Sequence, residues 1–160
     1  MRRTHAIPDE MCAARTAVCG LIAASAAGSV AGSGPDCGAA ASSLKVVVAG
    51  AGEADVNGEF VPRPSSQIPA GFADTCHASN WEPAKMWREL SESGRAWFES
   101  ANGSYFYWNR GDGHWWLDGP SGAGLYIAHD DGQVPPLAGW KVVTRHVREP
   151  MPAVRVELLD

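Results

Sequence analysis

Basic charge is scarce in this chain and never clustered. Thirteen Lys and Arg face eighteen Asp and Glu over 160 residues, a formal net charge of −5. Apart from Arg2-Arg3 the basic residues stand singly, and the segment 95–140 holds only Arg95 and Arg110. A nucleic-acid surface needs a basic face or stripe, so nucleic acid is not an expected partner. Cysteine is sparse and unpatterned. Cys12, Cys19, Cys37 and Cys76 contain no Cys-x-x-Cys pair, so neither a zinc site nor a disulfide framework is signalled. Cys76-His77 as a ligand pair lacks companions. No apolar run approaches the roughly 20 residues needed to cross a bilayer. Also missing are an Asp-x-Asp-x-Asp-Gly calcium loop and a Gly-x-Ser-x-Gly nucleophile elbow. The pattern therefore calls for no cofactor, no metal and no catalytic residue.

Aromatic residues are absent from the first 43 positions, which are rich in Ala, Gly and Ser. Arg2, Arg3 and Arg15 precede the modest apolar run Ala17–Ala24, and small-x-small sites follow at Ala24–Ala26 and Ser29–Ala31. This composition fits a signal or transit peptide. Asp9 and Glu10 oppose that reading, and a disordered tail is the alternative. The expected organisation is a leader over 1–43, a single module over 44–156 and a short tail at 157–160. No internal repeat is evident. Localisation and oligomeric state are not fixed by these residues.

What the chain does have is concentrated between Arg95 and Trp140, with five of the seven tryptophans and all three tyrosines. Short aromatic or β-branched runs lie at 96–100, 105–108, 114–117 and 125–128. Asn102-Gly103, Asn109 to Gly113 and Gly119 to Gly124 separate them. Such runs bounded by Gly, Asn and Asp read as strands joined by tight turns. Upstream, Lys45–Ala49 is a strand, Asn57-Gly58 a turn signal, and Glu59–Val61 a further short strand. Pro62, Pro64 and Pro69 mark an irregular connection through Phe72. Ser79 and Glu82 fit a capping box with Pro83 in the first turn. Met86, Trp87 and Leu90 then recur at helical spacing, and Gly94 is placed to end the helix. After Asp130-Asp131-Gly132, Pro135-Pro136 leads to Gly139-Trp140, read as a core anchor. Val154–Leu158 alternates as an edge strand whose pairing the prolines limit. The expected fold is mostly β, a small antiparallel meander sheet with one packed α-helix over about 80–93.

Two motifs invite functional readings. Val46 to Gly52 begins like a dinucleotide-binding fingerprint, but Asp55 occupies the third glycine position and a turn replaces the required helix. Arg110-Gly111-Asp112 is the tripeptide read by adhesion receptors, yet Asn-Arg-Gly-Asp-Gly is also what a tight turn demands. Glu99, Asp112, Asp118, Asp130 and Asp131 read as solvated turn carboxylates rather than an acid/base pair. His77, His114, His129 and His146 show no matched partners.

Alternate strand residues face opposite sides, so one aromatic face would fill the core under the helix. The other would be exposed, which is costly unless it is covered or used. The candidate ligand strip is Tyr105, Tyr107, Trp115, Trp116 and Tyr126, side chains that combine area with a polar handle. The competing expectation is that the segment 62–78, with Ile68 and Phe72, covers that face.

The ordered set Val56-Asn57-Gly58-Glu59-Phe60, Tyr107-Trp108-Asn109, Trp115-Trp116-Leu117-Asp118, Gly124 to Ala128, Pro135-Pro136-x-x-Gly139-Trp140 and Pro152-x-Val154 resembles a β module of microalgal proteins. The resemblance covers about residues 46–154. It implies a module that occurs repeated or fused to other domains, with no catalytic residues to carry over. This chain departs from it by a single copy and by the insert at 62–94. The leading expectation is a non-catalytic interaction module that binds a protein or peptide through an aromatic sheet face or the turn tips. A carbohydrate-binding domain of a secreted or plastid protein is the alternative, and a small hydrolase the third.

Overall fold

The computed structural model describes residues 43–159; the expected leader lies outside the described residues, apart from Ser43. The aromatic runs become strands of one curled, half-barrel sheet with eight antiparallel strands. They are β1 (Leu44–Ala49), β2 (Gly58–Arg63), β3 (Trp97–Ser100), β4 (Tyr105–Asn109), β5 (His114–Asp118), β6 (Gly124–His129), β7 (Lys141–Val142) and β8 (Ala153–Leu158). The first seven pair in sequence order, and β8 returns to pair with β1, giving β7-β6-β5-β4-β3-β2-β1-β8. The expected meander with a C-terminal edge strand is the observed topology.

Turn chemistry sets the hairpins. Gly103 has φ +88°, a conformation that side chains with a Cβ disfavour. Next to it Asn102 Oδ1 accepts from Ser104 N at 3.0 Å, so a side chain completes the β3–β4 turn. Asn57-Gly58, in contrast, is not a two-residue hairpin turn. A 3₁₀ turn (Ala54–Val56) precedes it, and β2 begins at Gly58. Asn57 clasps the loop instead: its Oδ1 accepts from Ala51 N at 2.9 Å and its Nδ2 donates to Ala51 O at 3.0 Å. The strand after Gly50 is antiparallel to β1, so the dinucleotide-fold topology is absent here.

Two helices, not one, lie between β2 and β3: α1 (Ala70–Ala78) and α2 (Pro83–Leu90). The expected helix over about 80–93 is real but shorter at both ends. Ser79 closes α1 rather than opening α2, and Asn80 turns the chain with φ 56°. Glu82 itself is the N-cap of α2, its carboxylate accepting from Ala84 N at 3.1 Å and Lys85 N at 2.8 Å, with Pro83 next in line. Such a cap contributes about 1 kcal/mol. At the other end, Ser91 Oγ donates back to Trp87 O at 2.6 Å, and the helix stops well before Gly94.

The core has two layers, one on each face of the sheet. One face holds Val46, Val48, Phe60, Phe98, Phe106, Trp115, Leu117 and Tyr126, joined by Val56, Trp140 and Val154. Phe60 and Phe106 meet edge to face, centroids 4.9 Å apart, and Trp140 packs 5.5 Å from Phe106. The expected Gly139-Trp140 anchor is thus in place. On the other face α1 and α2 bring Phe72 and Trp87 onto Trp97 and Tyr107, with Tyr105 packed beside both of these. Aromatic pairs of this kind contribute about 0.5–1.5 kcal/mol beyond the area they bury. The rest of that face, on β8, β1 and β2, mixes the half-buried Val47 and Val61 with ion pairs. Lys45 bridges Glu59 and Glu157, and Arg63 pairs with Glu99.

Candidate functional site

The five aromatics expected to form a ligand strip are all buried. Tyr105, Trp115 and Tyr126 are 0% exposed, Tyr107 1% and Trp116 5%. They also divide between the faces. The register pairs Tyr107 with Trp116 and Tyr105 with Asp118 on the helix-covered side, whereas Trp115 and Tyr126 lie in the core on the opposite face. The segment 62–78 does what the competing expectation asked: it supplies α1, whose Phe72 sits 6.1 Å from Tyr107. An exposed aromatic strip is therefore not what these residues make. Covering it lets both sheet faces bury apolar area, which stabilises a small domain with little other core to draw on.

Their polar handles serve the loops. Trp108 Nε1 donates to Asp130 O at 2.9 Å and Trp115 Nε1 to Gly132 O at 3.3 Å, tying the β6–β7 loop to the sheet. Trp87 and Trp97 donate to Ser65 O and Pro64 O, and Trp140 to Pro136 O. Tyr126 Oη accepts from Glu53 N at 3.0 Å and donates to Arg148 O at 2.6 Å. Burial pushes the Tyr126 hydroxyl pKa up from its ordinary value. Tyr105 Oη donates to Oδ2 of the fully buried Asp118 at 2.8 Å. Arg95 reinforces the same loop. Its guanidinium lies 4.1 Å over Trp108 and donates to Gly132 O, and its Nε is 2.7 Å from Glu92, close enough to pair though off the hydrogen-bond line.

The loops held by the indole N–H groups and Arg95 lie at one end of the sheet, whereas the two bridged by Tyr126 lie at the other. Antiparallel register places the starts of β1, β3, β5 and β7 and the ends of β2, β4, β6 and β8 together at the first of these ends. The three exposed large hydrophobics among the described residues are Leu137, in the β6–β7 loop, and Leu158 and Leu159, at the end of β8 on the opposite edge of the sheet. A groove of about 340 Å³ lined by Pro62, Arg63, Pro64, Ser65, Gly94, Arg95 and Ala96 opens at the end that Arg95 holds.

The Arg-Gly-Asp tip is also at this end but is engaged internally. Arg110 donates to Glu89 O at 3.1 Å, and its backbone N–H donates to Leu90 O, so it caps α2. Asp112 accepts from Trp116 Nε1 at 2.9 Å and from His114 N at 3.0 Å. Desolvation of Asp112 raises its carboxyl pKa, and these hydrogen bonds only partly offset the shift. The remaining carboxylates are dispersed: Glu99 on Arg63, Asp118 buried, and Asp130 closing its own turn on Gly132 N. Cys76 is buried in α1, and no group of three or more metal-ligating side chains occurs among the described residues.

One juxtaposition went unseen in the sequence. His114 and His129 are direct partners across β5 and β6, their ring centroids 5.3 Å apart. Fifteen positions separate them in the chain, and only the register, set by the bulge at Leu117/Asp118, brings them together.

Comparison with protein-family models, curated proteins and solved structures finds no match to this chain.

Proposed function

We propose that the module is a non-catalytic interaction module that binds a protein or peptide at its loop end. The reading rests on one observation: the exposed large hydrophobic side chain Leu137 lies in the β6–β7 loop that indole N–H groups and Arg95 fix, and the other two among the described residues, Leu158 and Leu159, lie at the same ends of the strands on the β8 edge. Rigid loops on a packed scaffold are a common way to carry recognition residues, and holding them in one conformation reduces the ordering entropy lost on binding. The resemblance to microalgal β modules, which occur repeated or fused to other domains, supports the same reading. The contact surface moves from the aromatic face to the turn tips. Glycan recognition would use an exposed aromatic platform, and the aromatics first considered for it are in the core.

The test uses the full chain on peptide and glycan arrays, with Leu137→Asp and Leu158→Asp variants. Peptide capture lost in either variant, with an unchanged melting temperature, is the expected outcome. Glycan capture, or peptide capture indifferent to both variants, contradicts it.

A further inference from the structure

His114 and His129 occupy directly opposite positions on adjacent antiparallel strands, where side chains on one face approach most closely. Their rings are 5.3 Å apart by centroid and nearly perpendicular, at 83°. Two imidazoles on one tetrahedral ion, with metal–nitrogen bonds of about 2.0–2.1 Å, place their ring centroids about 5 Å apart. The centroid spacing of the two rings matches that value, and rotation of the exposed His129 side chain is enough to turn a nitrogen toward the shared position.

The tautomer is settled at one ring. His114 Nδ1 lies 2.7 Å from the backbone oxygen of Asp112. A carbonyl oxygen only accepts, so Nδ1 carries the hydrogen in the neutral ring and Nε2 carries the lone pair. A ring N–H held by a backbone carbonyl, with the other nitrogen bare, is the arrangement that orients metal-ligating histidines. The Asp112 carboxylate, 3.6 Å from the same Nδ1, lies on that outer side and not on the ligand side. His129 is exposed and His114 half-buried, so an ion can reach the pair from solvent.

We infer that His114 and His129 form a two-imidazole chelate for a borderline divalent transition-metal ion of the zinc or nickel kind. Imidazole nitrogen is a preferred donor for these ions, and a neutral ring coordinates without releasing a proton. No third His, Cys, Asp or Glu completes a cluster among the described residues. The remaining coordination positions belong to water or to an incoming ligand. Such an ion cross-links β5 to β6 beside the β4–β5 tip and stabilises the folded state by binding it alone.

The experiment titrates Ni²⁺ alone into the isotopically labelled full chain and follows backbone amide resonances and melting temperature. Paramagnetic broadening should centre on residues flanking 114 and 129, and the melting temperature should rise. Both effects should be lost in His114→Gln and in His129→Gln, and kept in His77→Gln and His146→Gln. His129 is exposed, so its variant tests the site without disturbing the core. Absence of broadening around these residues with the ion in excess overturns the inference, as does broadening that survives both substitutions.

Discussion

At the residue scale, the notable choice is where each aromatic polar group is placed. Tyr126 shows the logic. Its ring is fully buried among Phe106, Trp115 and Leu117, while its hydroxyl bridges two separate loops through Glu53 N and Arg148 O. The sequence marked Tyr126 as an aromatic strand residue and a candidate for the ligand strip. It could not reveal that the far end of the ring meets segments distant in the chain, and those contacts decide between ligand strip and core. The raised hydroxyl pKa, caused mainly by burial, has a directional consequence. A group that holds its proton more tightly when folded makes stability fall as pH rises from the ordinary tyrosine value through the raised one. Below the ordinary value the two states bind the proton equally and no such loss occurs. Across that alkaline window the wild-type chain should therefore lose stability relative to Tyr126→Phe. Denaturant melts of both proteins at a series of pH values check this, and a difference that stays flat or shifts the other way contradicts it.

At the scale of elements, strands were legible and the first helix was not. The runs at 105–108 and 114–117 carry β-formers between Gly and Asn turns, so local preference and final structure agree. α2 was legible through Met86, Trp87 and Leu90, all buried as their spacing implied. Its boundary was misplaced because Ser79 and Glu82 satisfy a capping-box pattern whose geometry only Glu82 fulfils. α1 follows three prolines and has two glycine-or-alanine neighbours at its start, so propensity alone does not announce it. The one signal was Phe72 and Cys76, four apart and both buried. Its position depends on a close approach to the β5–β6 turn. A Cβ at Gly71 would lie 2.5 Å from Pro120 O and 2.6 Å from Gly122 N, both backbone atoms with little room to yield. Gly71→Ala should therefore destabilise the module by about 1–3 kcal/mol, as overpacking does. Urea unfolding should show a lower midpoint with an unchanged slope, and an unaltered midpoint would refute the docking described.

At the largest scale, the described residues form a curled sheet with a core on each face. One face fills itself, and helices from the 62–94 segment cover the other. The order of β3 to β6 was readable because consecutive tight turns leave a meander few alternatives, and β8 was correctly placed at an edge. The functional surface was not readable, since exposure depends on what covers a face and the covering element was the one the sequence concealed. The same reasoning applies to His114 and His129, whose meeting is a property of register alone. The most direct measurement is hydroxyl-radical footprinting of the full chain, read by mass spectrometry. Slow oxidation of Tyr105, Tyr107, Trp115, Trp116 and Tyr126, beside ready oxidation of Leu137 and Leu158, is the predicted result. Rapid oxidation of Tyr107 and Trp116 would mean the helices do not cover that face, and would return the aromatic strip to the surface.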